Sequence, residues 1–290
     1  MFDYRYHALS LAAVLLALAV GIVIGVAIGD SNLVSSAKNG IVANLNSEVS
    51  GARKQAEQLQ QKLTEEEAFS NGLYPLAVHD LLSGRGIGLV FLGASSDHAN
   101  GLVRSAVTQA GGNLTVVAAV REPLNLPAIA QEAVGTHYAA LAGSTALIER
   151  FGKLVGRQLV SGGQAVDREL LSRVRGGLMS AFDGQLGRLE GLVVVRADPT
   201  NMTPEQSAAS AAFETGLLSG VAAVGVPAVG VELSETEPSQ ISWYKSKNVS
   251  SVDDLDAPAG QAALAYALAG AHGAFGIKPT ADSLLPSAVP

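Results

Sequence analysis

Residues 86–119 read GIGLVFLGASSDHANGLVRSAVTQAGGNLTVVAA, and this stretch decides the fold class. Residues 87–92 form a short apolar run that ends in Gly93-Ala94-Ser95-Ser96-Asp97. A stretch with helical spacing follows to Ala110, then Gly111-Gly112, then a second apolar run over 114–119. Strand, turn, helix, glycine turn and strand make a βαβ unit, which implies parallel strands joined by a right-handed crossover. Ser96 or Asp97 suits the N-cap of that helix, and Gly111 suits the residue just beyond its end. The alternation returns with a strand over 192–195, a helix over 203–218 opened by Thr203-Pro204-Glu205, and a strand over 228–231. A last helix begins near Asp256-Ala257-Pro258. The expected body is therefore α/β, an open, mostly parallel doubly wound sheet with helices on both faces. Residues 124–188 read mostly helical, and their place in the topology is left open.

Towards the N-terminus the pattern changes. Residues 8–28 carry no charge and lie between Arg5 and His7 on one side and Asp30 on the other. At about 1.5 Å per residue, such a run matches a hydrocarbon core roughly 30 Å thick. It exceeds the apolar segment of a secretory signal, about 7–15 residues, so it reads as a retained transmembrane helix. Ala13, Ala17, Gly21, Gly25 and Gly29 recur every fourth residue along it. A stripe of small residues lets two helix backbones approach closely in lipid, where packing replaces the hydrophobic drive. Arg5 and the N-terminal amine precede the span and Lys38 is the first basic residue after it, which favours a cytoplasmic N-terminus and an extracytoplasmic body.

Between anchor and body lies a stalk. Asn39-Gly40 is a turn signal, so the membrane helix is expected to end before it or to break there. Beyond it Val42, Leu45, Val49, Ala52, Ala56, Leu59 and Leu63 alternate three and four residues apart, a heptad seam of about three repeats. Arg53, Lys54, Glu57, Lys62 and residues 65–67 fill the solvated positions. The small-residue stripe and the seam both favour a parallel homodimer or higher homo-oligomer, against the alternative of one amphipathic helix folding back on the body. The divisions are an anchor over 1–30, a coiled-coil stalk over 31–72 and a globular domain over 80–290.

Composition narrows the function. The chain has 290 residues, a formal net charge of −7 and no cysteine. Without a basic face, nucleic acid is a poor partner. Without cysteine there is no disulfide, thiolate metal site or Cys nucleophile. Gly86-Ile87-Gly88 stands before and inside its strand, so it cannot cradle a pyrophosphate between strand and helix. The only Gly-Lys pair, Gly152-Lys153, lacks the rest of a phosphate loop, and neither a Gly-x-Ser-x-Gly elbow nor a His-Glu-x-x-His zinc motif occurs. The expectation is a protein that is not an enzyme.

Three groups remain. Ser95-Ser96-Asp97-His98 follows the first strand, at the carboxyl edge where open α/β sheets bind ligands, and Asp198 follows a later one. Asp97 and His98 are the metal candidates, set against plain helix capping beside an exposed histidine. Asp253, Asp254 and Asp256 could bind a hard cation through oxygen. The blander expectation is a solvated loop with Asp256 capping the last helix. Trp243 and Tyr244, beside Lys245 and Lys247, fit either a partner surface or core packing.

The N-terminal order Arg5, His7, Ser10-Leu11-Ala12-Ala13-Val14, Leu16-Ala17-Leu18-Ala19 and Gly21 resembles the actinobacterial copper transporter family of MctB-like proteins. So do residues 251–256, Gly260-Gln261, Ala263-Leu264, Phe275-Gly276-Ile277-Lys278-Pro279 and Leu284-Leu285-Pro286. The resemblance covers essentially the whole chain. It implies a cell-envelope protein of copper efflux and copper resistance, with copper as the transported ion, described for the family as pore-forming in the outer membrane. Copper sites favour Cys, Met and His. Here there are Met1, Met179 and Met202, and His7, His79, His98, His137 and His272, no two at helical or strand pair spacing. The segments of about ten alternating residues that a membrane barrel needs are also missing. The other reading is a dimeric anchored scaffold that presents its body to an envelope partner and has no metal site of its own.

Overall fold

The computed structural model describes residues 4–29, 31–162, 165–197 and 201–287, with the side chains of 31–37 left out of the description. Two compact units result, Met1–Glu67 and Ala68–Pro290.

In the first unit, helix α1 covers Tyr4–Ile28, is exposed along its length, and is long and apolar enough to cross a membrane. Helix α2 begins at Ser31 and continues to Val78, into the second unit. The apolar helix ends at Ile28, before Asn39-Gly40, as one of the two expected outcomes has it, and α2 runs through that pair unbroken. Glycine costs a helix only about 1 kcal/mol relative to alanine, and the helix-forming runs on both sides carry the backbone through. The large seam residues Val42, Leu45, Val49, Leu59 and Leu63 are all exposed.

In the second unit the last turns of α2 bury Tyr74 and Val78, and residues 79–85 return the chain to the sheet. The strands are β1 (Gly86–Leu92), β2 (Asn113–Val120), β3 (Met179–Gly184), β4 (Gly191–Arg196), β5 (Ala228–Val231), β6 (Ser250–Val252) and β7 (Ala274–Phe275). Their order is β3-β2-β1-β4-β5-β6-β7; all pair in parallel except β3, which runs antiparallel at one edge. Alternate residues of β1 feed two cores. Ile87, Leu89 and Phe91 join Val103, Val107, Leu264 and Leu268 of helices α3 (Asp97–Gln109) and α9 (Pro258–Ala269), with Tyr74 and Val78. Val90 and Leu92 join the other core, built from α4 (Leu126–Glu132), α5 (Thr145–Ser161), α6 (Ala165–Leu178), α7 (Pro204–Ala222) and α8 (Ile241–Ser246). A period of two in burial on one strand is what a sheet covered on both faces requires.

The βαβ unit forms as its residues dictate. Ser96 Oγ accepts the N–H of Ala99 at 3.2 Å as N-cap of α3. At the other end the N–H of Gly111 (φ +84°) donates to Thr108 O and that of Gly112 to Val107 O, the paired bonds of a Schellman ending. Residues 124–188 are helical as read up to α6, but they end in β3, whose pairing with β2 the sequence does not announce.

Helices α5 and α7 touch backbone to backbone through reciprocal glycines. A Cβ placed on Gly152 or Gly156 would lie 2.3 Å from Phe213 O or 2.1 Å from Leu217 O. One placed on Gly216 or Gly220 would lie 2.0 Å from Glu149 O or 2.2 Å from Lys153 O. Two glycines four apart on each helix thus set the interaxial distance and fix α7 above the sheet. Thr203 caps α7 in a capping box with Gln206, behind Pro204 in the first turn.

Candidate functional site

The parallel strands end along one edge, and the buried carboxylates of the described residues gather there with half-buried Glu122, Arg196 and Lys278. Glu122 follows β2, Arg196 ends β4, Glu232 follows β5, Asp253 and Asp254 follow β6, and Lys278 follows β7; Glu214 reaches the edge from α7.

Arg196 organises the middle. Its Nε donates to Glu214 Oε1 at 2.8 Å, its Nη1 donates to Gln240 Oε1, and the guanidinium lies 4.7 Å from the Trp243 ring centroid. The backbone N–H of Arg196 donates to the Tyr244 hydroxyl at 2.9 Å, and that hydroxyl donates to Val194 O at 3.0 Å. Tyr244 is fully buried, and burial pushes its hydroxyl far above the usual phenol range. Trp243 is half-buried between Arg196 and Lys247, edge-on to Tyr244. Of the two outcomes open for this aromatic pair, Tyr244 takes core packing outright.

Glu214 is completely buried. Desolvation raises its pKa, against the opposing pull of Arg196 and of a hydrogen bond with the Glu122 carboxyl. Next along the edge, Lys278 Nζ donates to Glu232 Oε1 at 2.7 Å, to Thr236 O at 2.7 Å and to Leu233 O at 3.2 Å. The other Glu232 oxygen accepts the N–H of Gln240.

The acidic string departs from its expected role. Asp253 and Asp254 are buried, not solvated, and Asp256 does not cap α9, whose N-cap residue Ala257 makes no side-chain bond. Asp253 accepts the backbone N–H groups of Ile277 at 2.8 Å and Lys278 at 3.0 Å. Asp256 accepts from Ser234 N and Oγ; burial pushes its pKa up, but these bonds outweigh that and hold it below the ordinary value. The physical reason is β6. This three-residue strand, invisible in the sequence, ends where a neighbouring loop presents N–H groups that need an acceptor. Asp254 packs against Gly260, and neither of its oxygens has a hydrogen-bond partner among the described residues. Burial first, then Asp253 and Asp256, push its pKa up to about 6.

Asp97 and His98 lie exposed on the first turn of α3, and Ser96, not Asp97, caps the helix. His98 is near enough to Asp256 to be felt electrostatically. Asp198 lies outside the described residues. His79, His137 and His272 are exposed and apart, the last lining a hollow of about 720 Å³ at the opposite, amino edge with Lys247 and Asn248. Among the described residues no group of three or more His, Asp or Glu side chains is placed to hold a metal ion. Sequence reasoning missed Glu122, Arg196, Glu214, Glu232 and Lys278. Charged residues directly after apolar strands were the one available signal.

The chain thus combines an α/β body, whose carboxyl edge is braced by charge-compensated contacts, with an N-terminal helix long and apolar enough to cross a membrane. The chain belongs to the copper transport outer membrane protein family MctB, which it matches over residues 1–286. Relatives described as copper transporter MctB from Mycobacterium bovis and Mycobacterium tuberculosis are 27% identical over 208 residues, 71% of this chain and 57% of theirs. The matched region thus spans little more than half the length of these curated relatives. Residues that carried the resemblance interlock here: Gly260 against Asp254, Gly276 and Lys278 against Asp253.

Proposed function

We propose that this chain is a single-pass, membrane-anchored cell-envelope protein of copper transport and copper homeostasis, with copper as cargo rather than a resident cofactor. Membership of the copper transport family over residues 1–286 carries this reading. Helix α1 supports the anchor, taken as residues 8–28 within 1–30, with Ala13, Ala17, Gly21, Gly25 and Gly29 as its packing face. The N-terminus is cytoplasmic and the body extracytoplasmic, as Arg5 before the span favours. The stalk over 31–72 is a coiled coil that joins two copies through its seam. The body over 80–290 is a doubly wound sheet, a reading supported by the strand order and the two cores. Asp97 and His98 are the first positions at which copper contact is sought.

The test is titration of the full chain in detergent with Cu(I) and Cu(II) against competing chelators. Stoichiometric binding, lost when Asp97 and His98 are replaced together, supports direct copper handling at that edge. No binding transfers the function to a second reading, a dimeric anchored scaffold for another envelope component. The exposed apolar seam of α2 favours that reading.

A further inference from the structure

The heptad phase that places Val42, Val49, Ala56 and Leu63 at the a positions and Leu45, Ala52 and Leu59 at d also fixes the flanking positions. Residues 41, 48, 55 and 62 fall at g, and residues 46, 53, 60 and 67 at e. The charged residues among these eight are Glu48, Arg53, Lys62 and Glu67. All four are exposed, and none forms an ion pair within the chain among the described residues. The helix that carries them is unbroken from Ser31 to Val78, so one phase holds along the whole seam. Glu66 occupies the next d position and closes the apolar stripe after Leu63.

In a parallel, in-register pair each g residue meets the e residue five positions later on the other helix. That rule sets Glu48 against Arg53 of the second copy, Lys62 against Glu67, and Gln55 against Gln60. Every charged flanking residue then meets its opposite, and the central amides meet each other. Reversing one helix so that Glu48 meets Lys62 brings Arg53 against Arg53 of the second copy. From this charge complementarity we infer that the stalk pairs with a second copy of this chain, parallel and in register, and that the Glu48–Arg53 and Lys62–Glu67 contacts between copies select that arrangement. Ala52 and Ala56 make the middle of the seam narrow and weakly apolar, so the flanking charges decide orientation where packing does not. Both anchors then enter the same membrane, and the two bodies are carried side by side. The inference rests on the parallel stalk dimer proposed above and adds its register and the charged residues that set register and direction.

The chain has no cysteine, so single cysteines report the pairing without background. Full-length variants Leu45→Cys and Leu59→Cys, at d, and Lys54→Cys, at the outward f position, are oxidised in native membranes. The expected result is disulfide-linked dimer from each d variant alone and little from Lys54→Cys. Adding Glu48→Arg to Leu45→Cys lowers the linked fraction by on the order of fivefold, and adding Arg53→Glu as well restores it. Linkage that appears only when Leu45→Cys and Leu63→Cys copies are mixed means antiparallel helices and overturns the inference. Equal linkage at Lys54→Cys, or no restoration by the double reversal, overturns it too. No linkage at any position removes the stalk dimer itself, and since the assay does not involve copper, none of these outcomes bears on the copper reading.

Discussion

The buried carboxylate of Asp253 accepts the backbone N–H of Lys278 at 3.0 Å, while the ammonium of the same lysine reaches Glu232 at 2.7 Å. One residue of the C-terminal segment is thus held by its main chain to the end of β6 and by its side chain to the end of β5. Gly276 makes this possible, because a Cβ there would stand 1.9 Å from Asp253 Oδ1, on a backbone at φ +134°. Residues 275–278 are in effect a latch across the last strands of the sheet.

Cutting the latch exposes its worth. Lys278→Met leaves Glu232 buried without its cation, and removal of one partner from a buried pair costs about 3–5 kcal/mol. Urea denaturation of the full chain in detergent should show that loss. Gly276→Ala, which collides with Asp253, should destabilise as well, while Lys245→Met, at an exposed pair with Asp282, should leave stability nearly unchanged.

Asp254 makes stability depend on pH. Its folded-state pKa is raised to about 6 from an ordinary 3.8, so the fold favours the protonated form. The native state then binds more protons than the unfolded chain between these values, and stability falls as pH rises from about 4 to about 6. At pH 7 the cost is about 3 kcal/mol. Asp254→Asn should raise the melting temperature at pH 7 and leave it nearly unchanged at pH 4. A variant that gains equally at both pH values would show that the carboxyl is not the titrating group.

The glycine contact between α5 and α7 admits no added carbon. Gly156→Ala would place a methyl 2.1 Å from Leu217 O, against main chain that cannot swing aside. A loss of about 3 kcal/mol or more is expected, at the upper end of overpacking costs. Gly101→Ala, at a helical position with open space around it, should be neutral or slightly stabilising by the same denaturation assay.

The parts of this fold that were legible in the sequence are those governed by local chemistry. Ser96, Gly111, Thr203 and Pro204 punctuate α3 and α7 where their side chains and backbone preferences require, and the apolar run of β1 is covered on both faces. What escaped depends on distant partners. β6 and β7 are three and two residues long, too short for any period to register. β3 exists because β2 offers it an edge, and its own residues are mostly exposed. The carboxyl edge escaped for the same reason: Arg196 and Glu214 are apart in sequence, and only the folded sheet brings them to 2.8 Å. Asp256 looked like a helix cap because it precedes Pro258, yet Ser234 from another loop claims its carboxylate.

If this family member serves copper homeostasis from a membrane anchor, cellular copper reports it directly. A strain deleted for the gene, grown at sub-toxic copper, is analysed for metal content by mass spectrometry. It is compared with strains complemented by the full chain or by residues 31–290. Several-fold copper accumulation is expected in the deletion strain, restored to normal by the full chain but not by the form without α1. Normal copper content in the deletion strain would contradict it.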